Sequence, residues 1–245
     1  MERAVFEWMA ELDEVHWWFL ARRRILDRLI ARVVRPPVAA QVLEIGCGTG
    51  HNLAMLGRFG RVDACELDPA SRAIASKRLG RMVKEAELPD LSMFPPDRFD
   101  LIVLADVLEH VKEDEAALQA IRARLKPGGK LLLTVPANKW MWSAHDVAVH
   151  HHRRYSKRHL ARIVREAGLE VQLLSHFNSL LFPLIAAARA VAKLTGREFA
   201  EDRQPSAPVN AVLNWIFGLE AGLIGRLPMP FGVSLVAVVQ RPATH

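Results

Sequence analysis

Short apolar runs alternate with helical patterns through the middle of the chain. Four runs rich in Val, Ile and Leu, as expected of strands buried on both faces, lie at residues 41–45, 62–66, 99–104 and 130–135. Between them, apolar residues recur at helical spacing over residues 50–59, 69–79 and 113–125. Strands and helices that take turns along a chain build a parallel sheet covered on both faces. The pattern therefore predicts a doubly wound α/β fold.

The pattern continues on both sides of this region. Apolar positions at steps of three and four predict helix over most of the first forty residues, until Pro36 and Pro37 end it. A helix at 157–167, a strand at 169–174 and a last strand at 233–239 follow, with LKPGG at 125–129 as a break. The predicted organisation is an N-terminal helical cap at 1–37, a core at 38–175 and 232–245, and a helical insertion at 176–231.

The composition narrows the class of protein. With 245 residues and 51% hydrophobic content, the chain can bury one sizeable core. Its two cysteines, Cys47 and Cys65, provide no disulfide framework and no paired zinc motif. The N-terminus lacks the pattern of a secretory signal, and the longest uncharged run, 171–188, is interrupted by polar residues and Pro183. We expect a cytoplasmic protein, either free or peripheral at the inner face of the membrane.

The positive charge is concentrated in one segment. The net charge is +6, but residues 122–165 contain eleven lysines and arginines and a single acid, Asp146, a local charge of +10. Such a segment favours an anionic partner, which phosphate, carboxylate, nucleic acid or a lipid surface would satisfy. The alternative is a solvated basic face without a partner.

A glycine-rich turn follows the first predicted strand. In VLEIGCGTG, Gly46, Gly48 and Gly50 lie at alternate positions, whereas the dinucleotide fingerprint requires GxGxxG. Glycine permits a tight turn and close approach of a ligand to the backbone. Glu66 ends the second strand twenty residues after Gly46, where an acid accepts hydrogen bonds from ribose hydroxyls in doubly wound folds. Turn and acid together indicate a nucleoside site.

Four motifs in order identify a family. EIGCGTG, ELD, FDLIVLADVLEHV and LKPGGKLLLTVP resemble the class I S-adenosylmethionine-dependent methyltransferases, in the group that acts on small molecules and lipids. The resemblance covers roughly 41–174 and the last strand. It implies a Rossmann-like, seven-stranded, mostly parallel sheet and S-adenosylmethionine as the cofactor. The insertion departs from the family, whose members have a short link there.

The resemblance also implies cofactor contacts. The turn faces the methionine part, Glu66 holds the ribose, and Leu67 packs on the adenine; Glu85 and Ala86 either contact the adenine edge or form a plain loop. S-adenosylmethionine is a sulfonium cation without phosphate, which suits a site with several carboxylates. The implied cofactor residues are Glu44, Gly46, Cys47, Gly48, Gly50, Glu66, Leu67, Glu85, Ala86, Ala105, Asp106 and Arg23.

One histidine is a candidate for the chemistry. Methyl transfer needs alignment of the two reactants, exclusion of water and, for a hydroxyl acceptor, a base. His110 lies just past the strand at 99–104, at the edge where doubly wound sheets bind ligands, and histidine suits proton removal near neutral pH. The alternative is that His110 caps or packs the next helix.

The basic, histidine-rich stretch AVHHHRRYSKRHL is predicted to lie at the rim of the pocket. It follows the strand ending in TVP and leads into the next helix. We expect no metal site, because HExxH and a matching cysteine set are absent and arginine neighbours disfavour a cation. Either these residues contact an anionic substrate, or Arg153 pairs with a carboxylate and the tyrosine fills the core. The candidate substrate residues are His145, His151, Arg153, Arg154 and Tyr155.

The leading helix contains HWWFLARRR at residues 16–24. By the resemblance, such a helix closes over the cofactor, and Arg22 or Arg23 reaches the methionine carboxylate. Trp17 and Trp18 would otherwise pack against the sheet.

Two apolar helical stripes run through the insertion, one within 177–191 and one within 209–224. They would roof a greasy substrate, contact a membrane, form a homodimer interface or pack internally. Together with the basic segment, they favour a small-molecule or lipid-like, anionic acceptor.

Two other functions compete with this prediction. A nucleic-acid methyltransferase would use the basic segment, but ADVL replaces the Asn/Asp-Pro-Pro-aromatic run of amino-group DNA enzymes, and no Pro-Cys nucleophile occurs. The third alternative is a non-catalytic protein that binds S-adenosylmethionine.

Overall fold

The computed structural model describes residues 12–195, 204–227 and 229–243. The first eleven residues of the predicted cap and most of the linker within the insertion lie outside this range. In chain order the helices and strands are α1 (Trp17–Leu29) with a π-helical continuation (Ile30–Val34), β1 (Ala40–Ile45), α2 (Leu53–Leu56), β2 (Gly60–Cys65), α3 (Pro69–Leu79), β3 (Phe99–Ala105), α4 (Asp114–Arg124), β4 (Leu125–Pro136), α5 (Ala144–Ala148), α6 (Lys157–Glu166), β5 (Glu170–Phe177), α7 (Phe182–Thr195), α8 (Ala207–Leu223) and β6 (Ser234–Gln240). Single 3₁₀ turns lie at Leu108–His110 and Lys139–Met141. In the part of the chain described, no helix is both long and apolar enough to cross a membrane.

The strands form one mixed sheet in the order β2-β1-β3-β4-β6-β5, which confirms the predicted doubly wound fold. β6 runs antiparallel to both β4 and β5, while the pairs among β1 to β4 are parallel. The described sheet has six strands instead of the predicted seven. Beyond β2, a seventh strand is reduced to one parallel bridge between Cys65 and Lys84. The chain then turns at Glu87–Asp90 through Pro89, which has no N–H to donate to a ladder.

Helices cover both faces of the sheet, and each face has its own apolar core. On one face, α4 and α6 pack over β3 and β4 through residues such as Leu118 and Ile163. On the other face, α1, α3 and α8 pack through residues such as Leu26, Ala75 and Phe217. Truncating a fully buried leucine such as Leu26 to alanine is expected to cost about 2–5 kcal/mol of unfolding free energy. These two layers bury both faces of the sheet.

Two elements differ from their predicted bounds. LKPGG does not break the chain, because Leu125 already pairs with Phe99 and the strand continues across an irregularity in register. Gly129 permits this close approach, since a Cβ there would lie 2.8 Å from the Phe99 carbonyl oxygen. The helix predicted at 50–59 is reduced to the four residues of α2.

The N-terminal helix and the insertion pack together. The Trp17 amide donates to Asn210 Oδ1 at 2.8 Å, and Asn210 Nδ2 donates to the Val15 carbonyl at 2.8 Å. The Trp17 ring meets the buried Phe217 ring edge-on at a centroid distance of 5.8 Å. One face of α8 is therefore covered by α1, and both helices stand beside the edge of the sheet to which Arg22 reaches.

Candidate functional site

The carboxyl ends of β1, β2 and β3 meet at one edge of the sheet. β1 pairs with both β2 and β3, so the turn that follows β1 lies between the ends of the other two strands. The Cys47 amide donates to the Cys65 carbonyl at 3.1 Å, which ties this turn to β2. Ala105 ends β3, and Asp106 follows it with a left-handed φ of 57°. Doubly wound sheets bind ligands at this place.

The three glycines of the turn have different reasons to be glycine. All have positive φ, 64° at Gly46, 54° at Gly48 and 85° at Gly50. A Cβ on Gly46 would lie 2.7 Å from Val107 Cγ2, and one on Gly50 would lie 3.0 Å from Ala75 Cα. Around Gly48 there is no atom within 4 Å of such a Cβ. Gly48 therefore faces open space, where a ligand can approach the backbone.

Glu66 holds the turn from the end of β2. Its Oε2 accepts from the Gly48 amide at 2.7 Å, and its Oε1 accepts from the Asp68 amide at 2.9 Å. Each carboxylate oxygen has a second lone pair, so Glu66 can still accept hydrogen bonds from ligand hydroxyls. Leu67, the next residue, exposes 48% of its surface and offers an apolar patch beside these acceptors.

Glu44 is a buried carboxyl group beneath the turn. Its Oε1 accepts from Asn52 Nδ2 at 2.7 Å, while its buried Oε2 has no hydrogen-bond partner among the described residues. Burial raises the pKa of Glu44 to about 7, because the ionised form loses its hydration. A cationic ligand above the turn would supply the missing counter-charge. Cys47 is also buried, and burial raises the pKa of its thiol, so it is not a nucleophile here.

The arginine that reaches this site from α1 is Arg22. It is buried, forms an ion pair with Asp106 and lies 2.8 Å from His51 Nε2 through its other terminal nitrogen. Arg23 points elsewhere and donates to the Asp13 carbonyl at 2.8 Å. The structure thus brings Arg22, and not Arg23, to the predicted cofactor residue Asp106.

Glu85 and Ala86 lie beside the end of β2. Both line a surface cavity of about 570 Å³ that continues along the turn to Met93. Glu85 is exposed and pairs with Arg72 at 2.7 Å, and Arg72 also donates to the Leu67 carbonyl at 2.8 Å. Arg72 thus connects Glu85 to the backbone of Leu67.

In the basic stretch, the candidate substrate residues Arg153, Arg154 and Tyr155 have carboxylate partners within the chain, as does His151, which hydrogen-bonds Asp146. Arg154 is buried, and its Nε donates to Asp146 Oδ1 at 2.8 Å. Tyr155 is fully buried and donates to Asp114 Oδ2 at 3.0 Å, while Arg153 pairs with the same carboxylate at 2.7 Å. This matches the alternative in which the arginine pairs with a carboxylate and the tyrosine fills the core.

The histidines of this stretch meet the predicted base. The ring centroids of His110 and His151 are 4.6 Å apart, and those of His145 and His151 are 6.2 Å apart. Burial, followed by the neighbouring His151, lowers the pKa of His110 to about 4. His110 is therefore a neutral imidazole at neutral pH. Its pKa lies well below the range in which a general base works best.

A family model described as a methyltransferase domain matches residues 18–174, more than half of the chain. The chain belongs to the class I S-adenosylmethionine-dependent methyltransferases. Its six-stranded mixed sheet with helices on both faces is the fold of that family.

Relatives of this methyltransferase include enzymes whose names refer to small molecules. It is 35% identical over 117 residues to the ubiquinone biosynthesis O-methyltransferase of Xanthomonas campestris pv. campestris (strain B100). The aligned region covers 44% of this chain and 47% of the relative. It is 32% identical over 121 residues to the trans-aconitate 2-methyltransferase of Variovorax paradoxus (strain S110). That alignment covers 48% of this chain and 46% of the relative. The matched part thus spans about half the length of these curated relatives.

Among solved structures, the methyltransferase is similar to a chain of the complex between the Haloferax volcanii Trm112 methyltransferase activator and a methyltransferase. The TM-score is 0.64 at 20% identity, with 99% of this chain and 98% of that chain covered. At this identity the similarity concerns the fold alone.

The residues at the edge of the sheet fit S-adenosylmethionine. Gly48 leaves space for the methionine part, and the unpaired Glu44 Oε2 can face its positive charge. Glu66 offers acceptors for the ribose hydroxyls beside the apolar Leu67 surface. When bound, S-adenosylmethionine supplies an electrophilic methyl group on a sulfonium.

Sequence reasoning missed two residues of the site. Glu109 is 1% exposed beside His110, and Asp146 is fully buried against His151 and Arg154. Asp146 could have been found from the sequence, because it is the single acid within the basic segment at 122–165 and can pair with several of its basic neighbours. No feature of the sequence pointed to Glu109, because its burial depends on the loop at 149–152, which folds back over the turn after β3.

Proposed function

We propose that this methyltransferase transfers the methyl group of S-adenosylmethionine to a small, amphiphilic and anionic acceptor at a membrane surface. The observation that carries the cofactor half of the proposal is the open side of Gly48 next to the Glu66 carboxylate. In this proposal Glu66 binds the ribose, Glu44 faces the amino-acid part, and Leu67 and Ala86 contact the adenine.

Alignment and exclusion of water are the main tasks of the protein in this reaction. Arg22 and Trp18 of α1 lie above the turn, with the guanidinium carbon 4.3 Å from the Trp18 ring centroid. Together with α8, which packs on α1, they shield one side of the crevice. In this proposal His110 lies on the acceptor side of the crevice.

The lipid-like part of the proposal is supported by the outer surface of the insertion. Apolar side chains between 43% and 87% exposed occur on and around α7 and α8, namely Leu180, Leu184, Val191, Leu194, Val209, Val212, Trp215, Leu219, Leu227 and Phe231. A surface of this kind is typical of contact with lipid or with another protein. Trp140, which is 60% exposed and lies after β4, extends this apolar surface through a ring contact with Phe182.

The anionic part of the proposal is supported by charge beside this apolar surface. Lys139 is exposed next to Trp140, and Arg158 is exposed at the start of α6. Aromatic and basic side chains side by side suit the interface of an anionic membrane. The names of the two relatives, a ubiquinone biosynthesis enzyme and a trans-aconitate enzyme, support a small acceptor.

A small acceptor is favoured over nucleic acid by the way the basic segment is used. Three of its arginines are ion-paired within the chain, Arg153 with Asp114, Arg154 with Asp146 and Arg162 with Glu166. These pairs reduce the charge left for binding a phosphate backbone, which nucleic-acid affinity depends on.

The acceptor class is tested by incubating the purified protein with methyl-labelled S-adenosylmethionine and a fractionated cell extract. The products are then partitioned into lipid, small-molecule, RNA and protein pools. Label in the lipid or acidic small-molecule pool is expected. Label confined to RNA or protein would contradict the proposal.

The membrane contact is tested by flotation with vesicles of phosphatidylcholine and phosphatidylglycerol. We expect the wild type to float with anionic vesicles at low salt, and the double variant Trp140→Ser, Leu184→Gln to float less. Val38→Gln is the control, because Val38 is 100% exposed at the opposite, amino end of β1. If the wild type stays at the bottom and light scattering gives twice the chain mass, the apolar surface is a dimer interface instead.

A further inference from the structure

Three potential metal ligands converge beside the cofactor crevice, outside the residues assigned to S-adenosylmethionine. Glu109, His110 and His151 each offer one ligand atom, and these atoms all lie within 4.8 Å of one another. Glu109 and His110 belong to the 3₁₀ turn after β3, whereas His151 comes from the loop after α5. The His152 amide donates to the Glu109 carbonyl at 2.8 Å, which fixes that loop against the turn.

The buried Glu109 carboxyl group has one oxygen without a hydrogen-bond partner among the described residues. Glu109 is 1% exposed, and this oxygen is Oε2. The two arginines that act electrostatically on Glu109 are paired with other carboxylates, Arg22 with Asp106 and Arg154 with Asp146. A buried carboxylate with free lone pairs is stabilised by a bound cation.

His151 is oriented as a metal-binding histidine is. Its Nδ1 hydrogen-bonds Asp146 Oδ1 at 2.8 Å, and its Nε2 lies 3.9 Å from Glu109 Oε1. A proton held on Nδ1 by Asp146 leaves the lone pair of Nε2 facing Glu109. Asp146 is itself fixed, since Arg154 donates to both of its oxygens at 2.8 and 2.9 Å. A carboxylate behind a histidine is the usual support of a metal ligand.

His110 completes the set from the other side. Its ring lies edge-on to that of His151 at a centroid distance of 4.6 Å. One of its ring nitrogens lies within ligand distance of the other two groups and can provide a lone pair to an ion. Neutral imidazole is the form that binds metals.

We propose that Glu109, His110 and His151 bind one divalent transition-metal ion. Two imidazoles and one carboxylate suit zinc, manganese or iron(II) better than magnesium or calcium, which prefer oxygen ligands. Ligands about 2.1 Å from a common ion lie within roughly 3.5 Å of each other in a tetrahedral site, so small side-chain rotations close the observed arrangement. Three protein ligands leave at least one coordination position open.

The open position suggests a role, which rests on the proposed function. A hydroxyl group bound to the ion would have a lowered pKa and would lose its proton to solvent. Its oxygen would then form a bond to the methyl carbon while the bond from that carbon to the sulfonium sulfur breaks, and the cofactor would leave as a neutral thioether. From the sequence we expected no metal site, because HExxH and a matching cysteine set are absent and because arginine neighbours disfavour a cation. In the structure Arg153 and Arg154 are paired with Asp114 and Asp146, which removes that repulsion.

The proposal is tested by titrating the chelator-treated, full chain with zinc chloride and with manganese chloride in a calorimeter. We expect saturable binding of one ion per chain by at least one of the two metals, and a higher Tm in its presence. Glu109→Gln and His151→Ala should each weaken that binding at least about tenfold. His159→Ala, which removes an imidazole stacked on Tyr155, is the matched control and should bind as the wild type does.

The same preparations are titrated with S-adenosylmethionine, which separates this proposal from the proposed function. Retained cofactor binding without metal binding by the wild type overturns the metal site alone. Equal metal affinity in wild type and both ligand variants also overturns it. Cofactor binding that fails in the wild type overturns the proposed function, whatever the metal result. The metal-dependent rise in the Tm of the wild type needs no variant, so a variant that fails to fold leaves the test decisive.

Discussion

Arg22 of the first helix forms an ion pair with Asp106 at the end of β3. The same guanidinium stacks on Trp18 at 4.3 Å and lies 2.8 Å from His51 Nε2. The pair connects a helix of the N-terminal cap to the edge of the sheet at which the glycine turn lies. Because Arg22 is only 3% exposed, a cofactor carboxylate in this crevice would meet it with little competition from water.

Replacing Arg22 is expected to weaken cofactor binding. Loss of a charge-assisted hydrogen bond of about 1.5–3 kcal/mol corresponds to a Kd increase of roughly tenfold to a hundredfold for S-adenosylmethionine in Arg22→Ala. Arg23→Ala is the control, since Arg23 donates to the Asp13 carbonyl instead. Equilibrium dialysis measures both constants. A larger loss in Arg23→Ala would restore the residue assigned from the sequence and remove Arg22.

The two predicted acids of the nucleoside site should respond differently to neutralisation. Glu66→Gln loses charged acceptors that also anchor the Gly48 amide, so its Kd for S-adenosylmethionine should rise about tenfold or more. Glu85→Gln should change the Kd less than threefold, because exposed pairs such as Glu85 with Arg72 contribute little. Calorimetric titration compares them. Equal effects of both substitutions would contradict the ribose role of Glu66.

Glu44 should make the stability of the protein without cofactor fall as the pH rises. Its pKa is about 7 in the fold against an ordinary value of 4.5, so the folded chain retains a proton that the unfolded chain has released between these values. The contribution is fully present below pH 4.5 and is lost as the pH rises through 7. Over this interval it amounts to about 3 kcal/mol.

Glu44→Gln keeps the amide oxygen for Asn52 and removes the titration. Its unfolding free energy should therefore vary less with pH than that of the wild type between pH 5 and pH 8. Urea denaturation at four pH values measures the difference. Parallel curves for the two chains would show that Glu44 does not titrate in this range.

Tyr155 should matter for stability and not for binding. Its hydroxyl donates to Asp114 Oδ2 at 3.0 Å within the core, so Tyr155→Phe should cost about 1–2 kcal/mol of unfolding free energy. Cofactor affinity should stay within a factor of two. Urea unfolding and calorimetry on the same preparation check both statements. Unchanged stability with slower methyl transfer would return Tyr155 to the substrate side.

The sequence predicted the sheet, its direction and its glycine turn, because these follow from local patterns. Runs such as 101–104 are apolar over their whole length, and Gly46 and Gly50 are required by contacts within a few elements. That the described residues form no seventh strand depends on where the chain turns at Pro89, which periodicity does not show.

The partners of charged side chains were harder to predict. Whether Arg22 or Arg23 enters the site depends on the rotation of α1, which is set by its packing on α8 almost two hundred residues away in the chain. The burial of Glu109 and Asp146 depends likewise on a loop closing over the turn after β3. Such long-range contacts leave no periodic trace in the sequence.

Binding of the cofactor against Gly48 is tested most directly by calorimetric titration of S-adenosylmethionine into wild type, Gly48→Ala and Gly80→Ala. Gly48 and Gly80 have similar left-handed φ values, 54° and 70°, and a Cβ on either meets no atom within 4 Å. Both substitutions therefore cost a similar backbone strain of about 1–2 kcal/mol. We predict saturable binding to the wild type and Gly80→Ala, and at least tenfold weaker binding to Gly48→Ala. Equal affinity in the two variants, or no heat of binding with the wild type, would contradict the claim that the cofactor binds against Gly48.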